Sequence, residues 1–250
     1  MLNDWTLLAA AAFAAGVLNA IAGGGSFLTF PALVFTGLPP IVANATSAIA
    51  VSPGYLGSTL GFRPELAALP RARLVREGLA CAAGGGCGAL LLLVTPARVF
   101  SAAVPWLLLF ATVLFALGPR LVAARAARGA GAVHPTAQAL GLFAVAVYGG
   151  YFNGGLGILL MALYTLTGER HVHTANALKN LNSLVLSLLS VAAFAWAGAI
   201  AWPQAVVMMA AATLGGFAGA RLARRLPAAG VRAVVVVTGL VMAGAFFLRG

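Results

Sequence analysis

Two short stretches gather groups that could hold a ligand. The first is AGGGSFLTFP, Ala22 to Pro31, with a polar Asn19 just before it. The second is FNGGLGILLM, Phe152 to Met161. A glycine inside a helix costs roughly 1 kcal/mol relative to alanine, so glycines clustered in apolar sequence predict deliberate helix breaks. A helix that starts at Ser26, or just after Gly155, presents N–H donors with no intrahelical partner and the positive end of its dipole. Glycine also lets a ligand approach the backbone closely. Both features suit a small anion, ideally an oxyanion. The competing reading is that the glycines only let helices pack tightly, as small residues do in membranes. Two matched breaks, each followed by a polar helix, favour the site.

The side chains that follow the breaks add to this. Asn44, Thr46 and Ser47 follow the first break, and Asn176, Lys179, Asn180 and Ser183 follow the second. Lys179 is the only lysine in the chain and lies near the start of an apolar helix. It either neutralises an anionic substrate or snorkels to lipid headgroups. The asparagines and Ser183 either donate hydrogen bonds to substrate or hold helices together. The candidate substrate site is therefore Gly23, Gly24, Gly25, Ser26, Asn44, Thr46, Ser47, Gly154, Gly155, Gly157, Asn176, Lys179 and Asn180.

Other chemistries are less well supplied. His171 and His173 flank a loop beside Glu169 and could carry a cation or metal, but two ligands without a third close by make a poor metal site. No carboxylate sits at a helix centre to relay protons. Ser26 after three glycines loosely resembles the nucleophile of an intramembrane protease, yet no histidine lies in a helix core to activate it. The chain is therefore not expected to be an enzyme, and no cofactor or bound metal is expected. Cys81 and Cys87 are spaced near two helical turns, which would put them on one face as small packing residues.

The elements that must position these groups lie in a membrane. Of the 250 residues 62% are hydrophobic and 8% charged, with only four acids; a soluble domain carries about 25% charged residues. Apolar runs of the length that crosses a bilayer recur along the chain. The alternating pattern of a membrane β-barrel is absent. The net charge of +11 comes from arginines in the gaps between apolar runs, which is the positive-inside pattern and not a nucleic-acid surface. The expected class is an all-α polytopic membrane protein of about eight transmembrane helices. Alanine, glycine, leucine and arginine dominate while lysine is nearly absent, which points to a GC-rich bacterial genome and so to a bacterial inner membrane. Its expected partners are the lipid bilayer and a small anion, with a homodimer left open and nucleic acid excluded.

The chain reads as two halves, 1–118 and 137–250, joined by a cytoplasmic linker over 119–136. Each half has a full apolar run, a glycine break, a half-length run, a turn, a polar helix and two apolar helices. Gly23 and Gly25 correspond to Gly155 and Gly157, and Asn44-Ala45 to Asn176-Ala177 at the same offset. Such an internal repeat is expected of secondary transporters. The arginine-rich gaps at 63–76, 120–128 and 221–232 should all face the cytoplasm. That requires the half-length runs to dip in and return, which inverts one half against the other and places both termini outside.

Three stretches together resemble the TauE/SafE, or sulfite exporter, family of bacterial permeases. They are GVLNAIAGGGSFLTFPALVFTGLPPIVANATSAIAV, GGLGILLMALYTLTG and TANALKNLNSLV. The resemblance covers essentially the whole chain. It implies seven to eight membrane segments and transport of sulfur-containing or organic anions such as sulfite, sulfonates or sulfoacetate. The second half departs from the family pattern: NGGLG stands in place of a GGG-like cluster, and Leu178-Lys179 in place of a Thr-Ser pair.

Overall fold

The computed structural model describes residues 2–21, 24–127, 133–169, 171–222 and 228–249. Every regular element among them is a helix. The order is α1 (Leu2–Ile21), α2 (Ser26–Phe35), α3 (Pro40–Gly61), α4 (Arg63–Ala67), α5 (Arg71–Val94), α6 (Ala97–Ala127), α7 (Pro135–Tyr151), α8 (Leu156–Leu166), α9 (Val172–Trp196), α10 (Trp202–Leu222) and α11 (Ala228–Arg249). The protein is a polytopic all-α membrane protein. Arg71–Val94, Ala97–Gly118 and Val172–Trp196 are long and apolar enough to cross a bilayer by length and composition. Helices α1, α3, α10 and α11 have 20 to 22 residues. At 1.5 Å per residue that is about 30 Å, a bilayer's hydrocarbon thickness.

The breaks fall where the glycines predict. α2 begins at Ser26 and α8 at Leu156. With 10 and 11 residues, each rises about 15 Å, half of what a span needs. Gly24 and Gly155 have positive φ, at 123° and 77°, a conformation that only glycine adopts without strain. Two boundaries differ from expectation. α6 runs on through Pro119 to Ala127, so the polar connection is shorter than the 119–136 linker. α5 starts at Arg71 and not near Glu77, so Arg73 and Arg76, expected in the arginine-rich gap, lie on the helix.

Close backbone approach sets the packing between halves. α1 lies on α10, where a Cβ at Gly16, Gly215 or Gly219 would strike the partner's backbone. α5 lies on α7 through Gly84, Gly88 and Gly150 in the same way. Position numbers rise together along both seams, so each pair runs parallel. Each pair also joins one half of the chain to the other. Exchanging α1 with α7, α2 with α8, α3 with α9, α5 with α10 and α6 with α11 carries the main contacts onto one another. Thus α1 on α10 maps to α7 on α5, and α3 on α10 to α9 on α5. Cys81 is buried and Cys87 exposed, both free. They do not share a face, because six residues at 100° each turn the helix well off register.

Candidate substrate site at the meeting of two helix breaks

The two breaks, far apart in sequence, touch. Ser26, the first residue of α2, donates from Oγ to the carbonyl of Asn153 at 2.9 Å. Asn44 of α3 accepts the Asn153 N–H on Oδ1 at 3.3 Å and donates from Nδ2 to the Tyr151 carbonyl at 3.2 Å. The unwound backbone between α7 and α8 is thus held by side chains from α2 and α3. This is the partner that backbone needs, because irregular chain cannot face lipid. Thr29 and Ser47 share a hydrogen bond at 2.6 Å, which ties α2 to α3 beside this knot. Ser26, Thr29, Asn44, Ser47 and Asn153 are all buried.

Aromatic rings wrap the knot. Phe152 meets Phe30 edge-on at 5.5 Å and Tyr148 at 6.2 Å, and Phe100 reaches Tyr151 at 5.6 Å. Tyr148 donates its hydroxyl to the Gly154 carbonyl at 2.9 Å. The rings exclude water, and hydrogen bonds in such surroundings are electrostatically stronger than in solvent.

The glycine donors are not equally free. The N–H groups of Gly24 and Gly25 both reach Asn19 Oδ1, at 3.0 and 2.7 Å. Asn19 closes the first break from its own helix and takes two of the donors assigned to a ligand. A Cβ at Gly25 would run into Ala15 and the Asn19 side chain, so the space there is filled by α1. A Cβ at Gly155 would lie 2.9 Å from the Ala111 methyl and 3.3 Å from the Phe27 ring, and one at Gly154 would strike the Phe152 ring. Gly157 is buried in the first turn of α8. Gly23 lies outside the described residues.

One donor in the knot has no partner among the described residues. Asn153 Nδ2 is buried and unbonded, although both backbone groups of Asn153 are satisfied. An unmet buried polar group costs about 1–3 kcal/mol, which an acceptor from a ligand would relieve. Further along, α9 carries a second set. Lys179 is 7% exposed and has no hydrogen-bond or ion-pair partner among the described residues. The Ser183 hydroxyl is also buried and unbonded. Asn180 is buried and Asn176 half-buried.

The structure therefore brings Ser26 and Asn44 together through the Asn153 backbone, with Ser47 beside them. It turns Thr46 away, to accept the Ala201 N–H at 3.0 Å where α10 begins. No bond links Asn176, Lys179 or Asn180 to the knot. Asn19 and Asn153 escaped the candidate set. Asn153 adjoins its glycines and Asn19 stands four residues before Gly23, and that proximity was the available signal.

A family profile described as sulfite exporter TauE/SafE matches residues 8–246. The chain belongs to the TauE/SafE family. Among curated proteins, a probable membrane transporter protein of Haemophilus influenzae is 30% identical, covering 92% of this chain and 89% of that protein. The probable membrane transporter protein YfcA of Escherichia coli K12 is also 30% identical, covering 92% and 85%. A probable membrane transporter protein of a Sinorhizobium species is 27% identical, covering 93% and 88%. No solved structure matches the chain. The TauE/SafE match takes in both breaks, the knot that joins them and the polar face of α9.

Proposed function

We propose that the chain is a secondary transporter of a small anion, a sulfur oxyanion or organosulfonate such as sulfite or sulfoacetate, working by alternating access in a bacterial inner membrane. The observation that carries the reading is the unbonded Asn153 amide. It is an unmet donor buried where two glycine breaks from different halves meet, in a chain whose family is described as sulfite exporters. Lys179, buried and unpaired among the described residues, supports the sign of the charge: an ammonium in a membrane interior is costly without a counter-ion, and a substrate anion supplies one. The helix contacts that exchange between halves support an inverted pair of repeats of about eight spans that rock about the knot, as such transporters do. The parallel seams of α1 with α10 and α5 with α7 agree with that topology.

Two rivals meet specific obstacles. For a cation carrier, Glu169 already bonds Arg73 at 3.1 Å, and no group of three metal-ligating side chains occurs among the described residues. For an intramembrane enzyme, the Ser26 hydroxyl is spent on the Asn153 carbonyl.

The test is flux into and out of proteoliposomes for a panel of anions, under imposed pH and voltage gradients. Sulfite or an organosulfonate should move, and Lys179→Ala should slow it by about tenfold or more, the loss expected for one charge-assisted contact. If protein that is folded moves no anion on the panel, or if Lys179→Ala and Asn153→Ala both leave flux untouched, the proposal is wrong.

A further inference from the structure

Two of the chain's four acids converge on one arginine, away from the knot. Arg73, on the first turn of α5, donates from Nε to Glu77 Oε1 at 2.8 Å and from a terminal nitrogen to Glu169 Oε2 at 3.1 Å. Glu77 is fully buried. Its second oxygen accepts the Tyr164 hydroxyl at 2.8 Å, and that hydroxyl accepts from Asn182 Nδ2 at 2.5 Å. Glu169 Oε1 lies 3.7 Å from His171 Nδ1. The network crosses the two halves. Arg73 and Glu77 come from α5, Tyr164 from the half-helix α8, Glu169 from the turn after α8, and Asn182 from α9. Accessibility falls inward along it: the Arg73 side chain is 23% exposed, Glu169 11% and Glu77 1%.

The corresponding end of the molecule is built differently. The turn after α2 is TGLPP, whereas the turn after α8 is TGERHVHT. The first has no charge. Its end of the bundle is tied by the neutral bond from Ala201 N–H to Thr46 Oγ1 at 3.0 Å. A purely structural clamp has no reason to be ionic on one side alone. Charge suits a closure that must open to water, because Coulomb gain and desolvation cost nearly cancel in a buried ion pair. The separated ions regain hydration, while separated apolar surfaces would not.

We infer that Arg73, Glu77, Tyr164 and Glu169 form the inner gate of the transport path, on the arginine-rich side. Their bonds hold α8 and its turn against α5, closing the way to the buried face of α9 that carries Lys179 and Ser183. This inference rests on the transport reading, but its test needs no substrate. Ser183→Cys is introduced after Cys81→Ala and Cys87→Ala, and its reaction with a membrane-impermeant maleimide is timed from each side of sealed vesicles. Glu169→Gln and Tyr164→Phe keep size and shape while removing gate bonds. Each should raise labelling from the arginine-rich side by about tenfold, the shift in open fraction that loss of a strong bond gives, with no such rise from the other side. Glu169→Asp, which keeps the charge, and Arg76→Gln, which removes an exposed charge from the same helix end, should label like the starting protein. Unchanged labelling in both gate variants, or an equal rise from both sides, overturns the gate. Sulfite flux is measured separately. A one-sided labelling response without flux of any anion leaves the gate and removes the transport reading. Flux without a labelling response removes the gate alone.

Discussion

Asn19 and Asn153 flank the two breaks and do opposite things with their side chains. Asn19 Oδ1 accepts the N–H groups of Gly24 and Gly25, the two residues just before α2, and so closes the break from α1. Leaving a buried N–H group unmet costs about 1–3 kcal/mol. Asn19→Ala should lower the thermal unfolding midpoint in detergent, while Asn19→Asp, which keeps the acceptor, should hold most of it. Equal midpoints for Asn19→Ala and the unsubstituted protein would remove this role. Asn153 is tied by its backbone, and its amide is idle. Asn153→Ala should therefore leave the unfolding midpoint nearly unchanged. It should weaken sulfite binding by about tenfold to a hundredfold, the value of one hydrogen bond to a charged group of 1.5–3 kcal/mol. Isothermal titration beside a melting curve separates the two effects. Loss of stability with unchanged affinity would make Asn153 structural.

At the scale of elements, the glycines divide by what a Cβ would meet. On α5, Gly88 presses on the backbone of Val147 and Gly150, whereas Gly86 faces open space. Gly88→Ala must push α5 from α7, at about 1–3 kcal/mol for an overpacked contact. Gly86→Ala should be neutral or slightly stabilising, because alanine favours the helix. Size-exclusion profiles and melting curves of the pair would show it, and equal behaviour would undo the seam argument. Break positions and half-length helices were legible because glycine and proline act locally, through backbone freedom and missing N–H groups. The Arg73–Glu77 pair was not, because the charged start of α5 reads as loop until the helix is seen to begin at Arg71. Its link to Tyr164 joins residues 87 apart, and no local pattern encodes that.

At the scale of the whole molecule, charge and packing address the same question. Arginines place the 63–76 segment on one side of the membrane, and α5 then crosses to the turn before α6. In a background with Cys81 and Cys87 replaced, Arg63→Cys and Ala97→Cys should react with an impermeant reagent from opposite faces. Both positions are exposed. Labelling of both from the same face would break the topology on which the inverted halves depend.

Composition by itself determined that the chain lives in a membrane, since 8% charged residues cannot clothe a soluble surface. Glycine and proline spacing determined where its helices stop. Both are local or summed properties, carried by each residue wherever it folds. The tertiary structure alone decided that the break at Gly25 is closed by Asn19, that Ser26 and Asn44 grip the second break, and that Thr46 turns elsewhere. Hydrogen bonding between distant residues depends on which helices become neighbours, and here small-residue seams between the two halves set that arrangement.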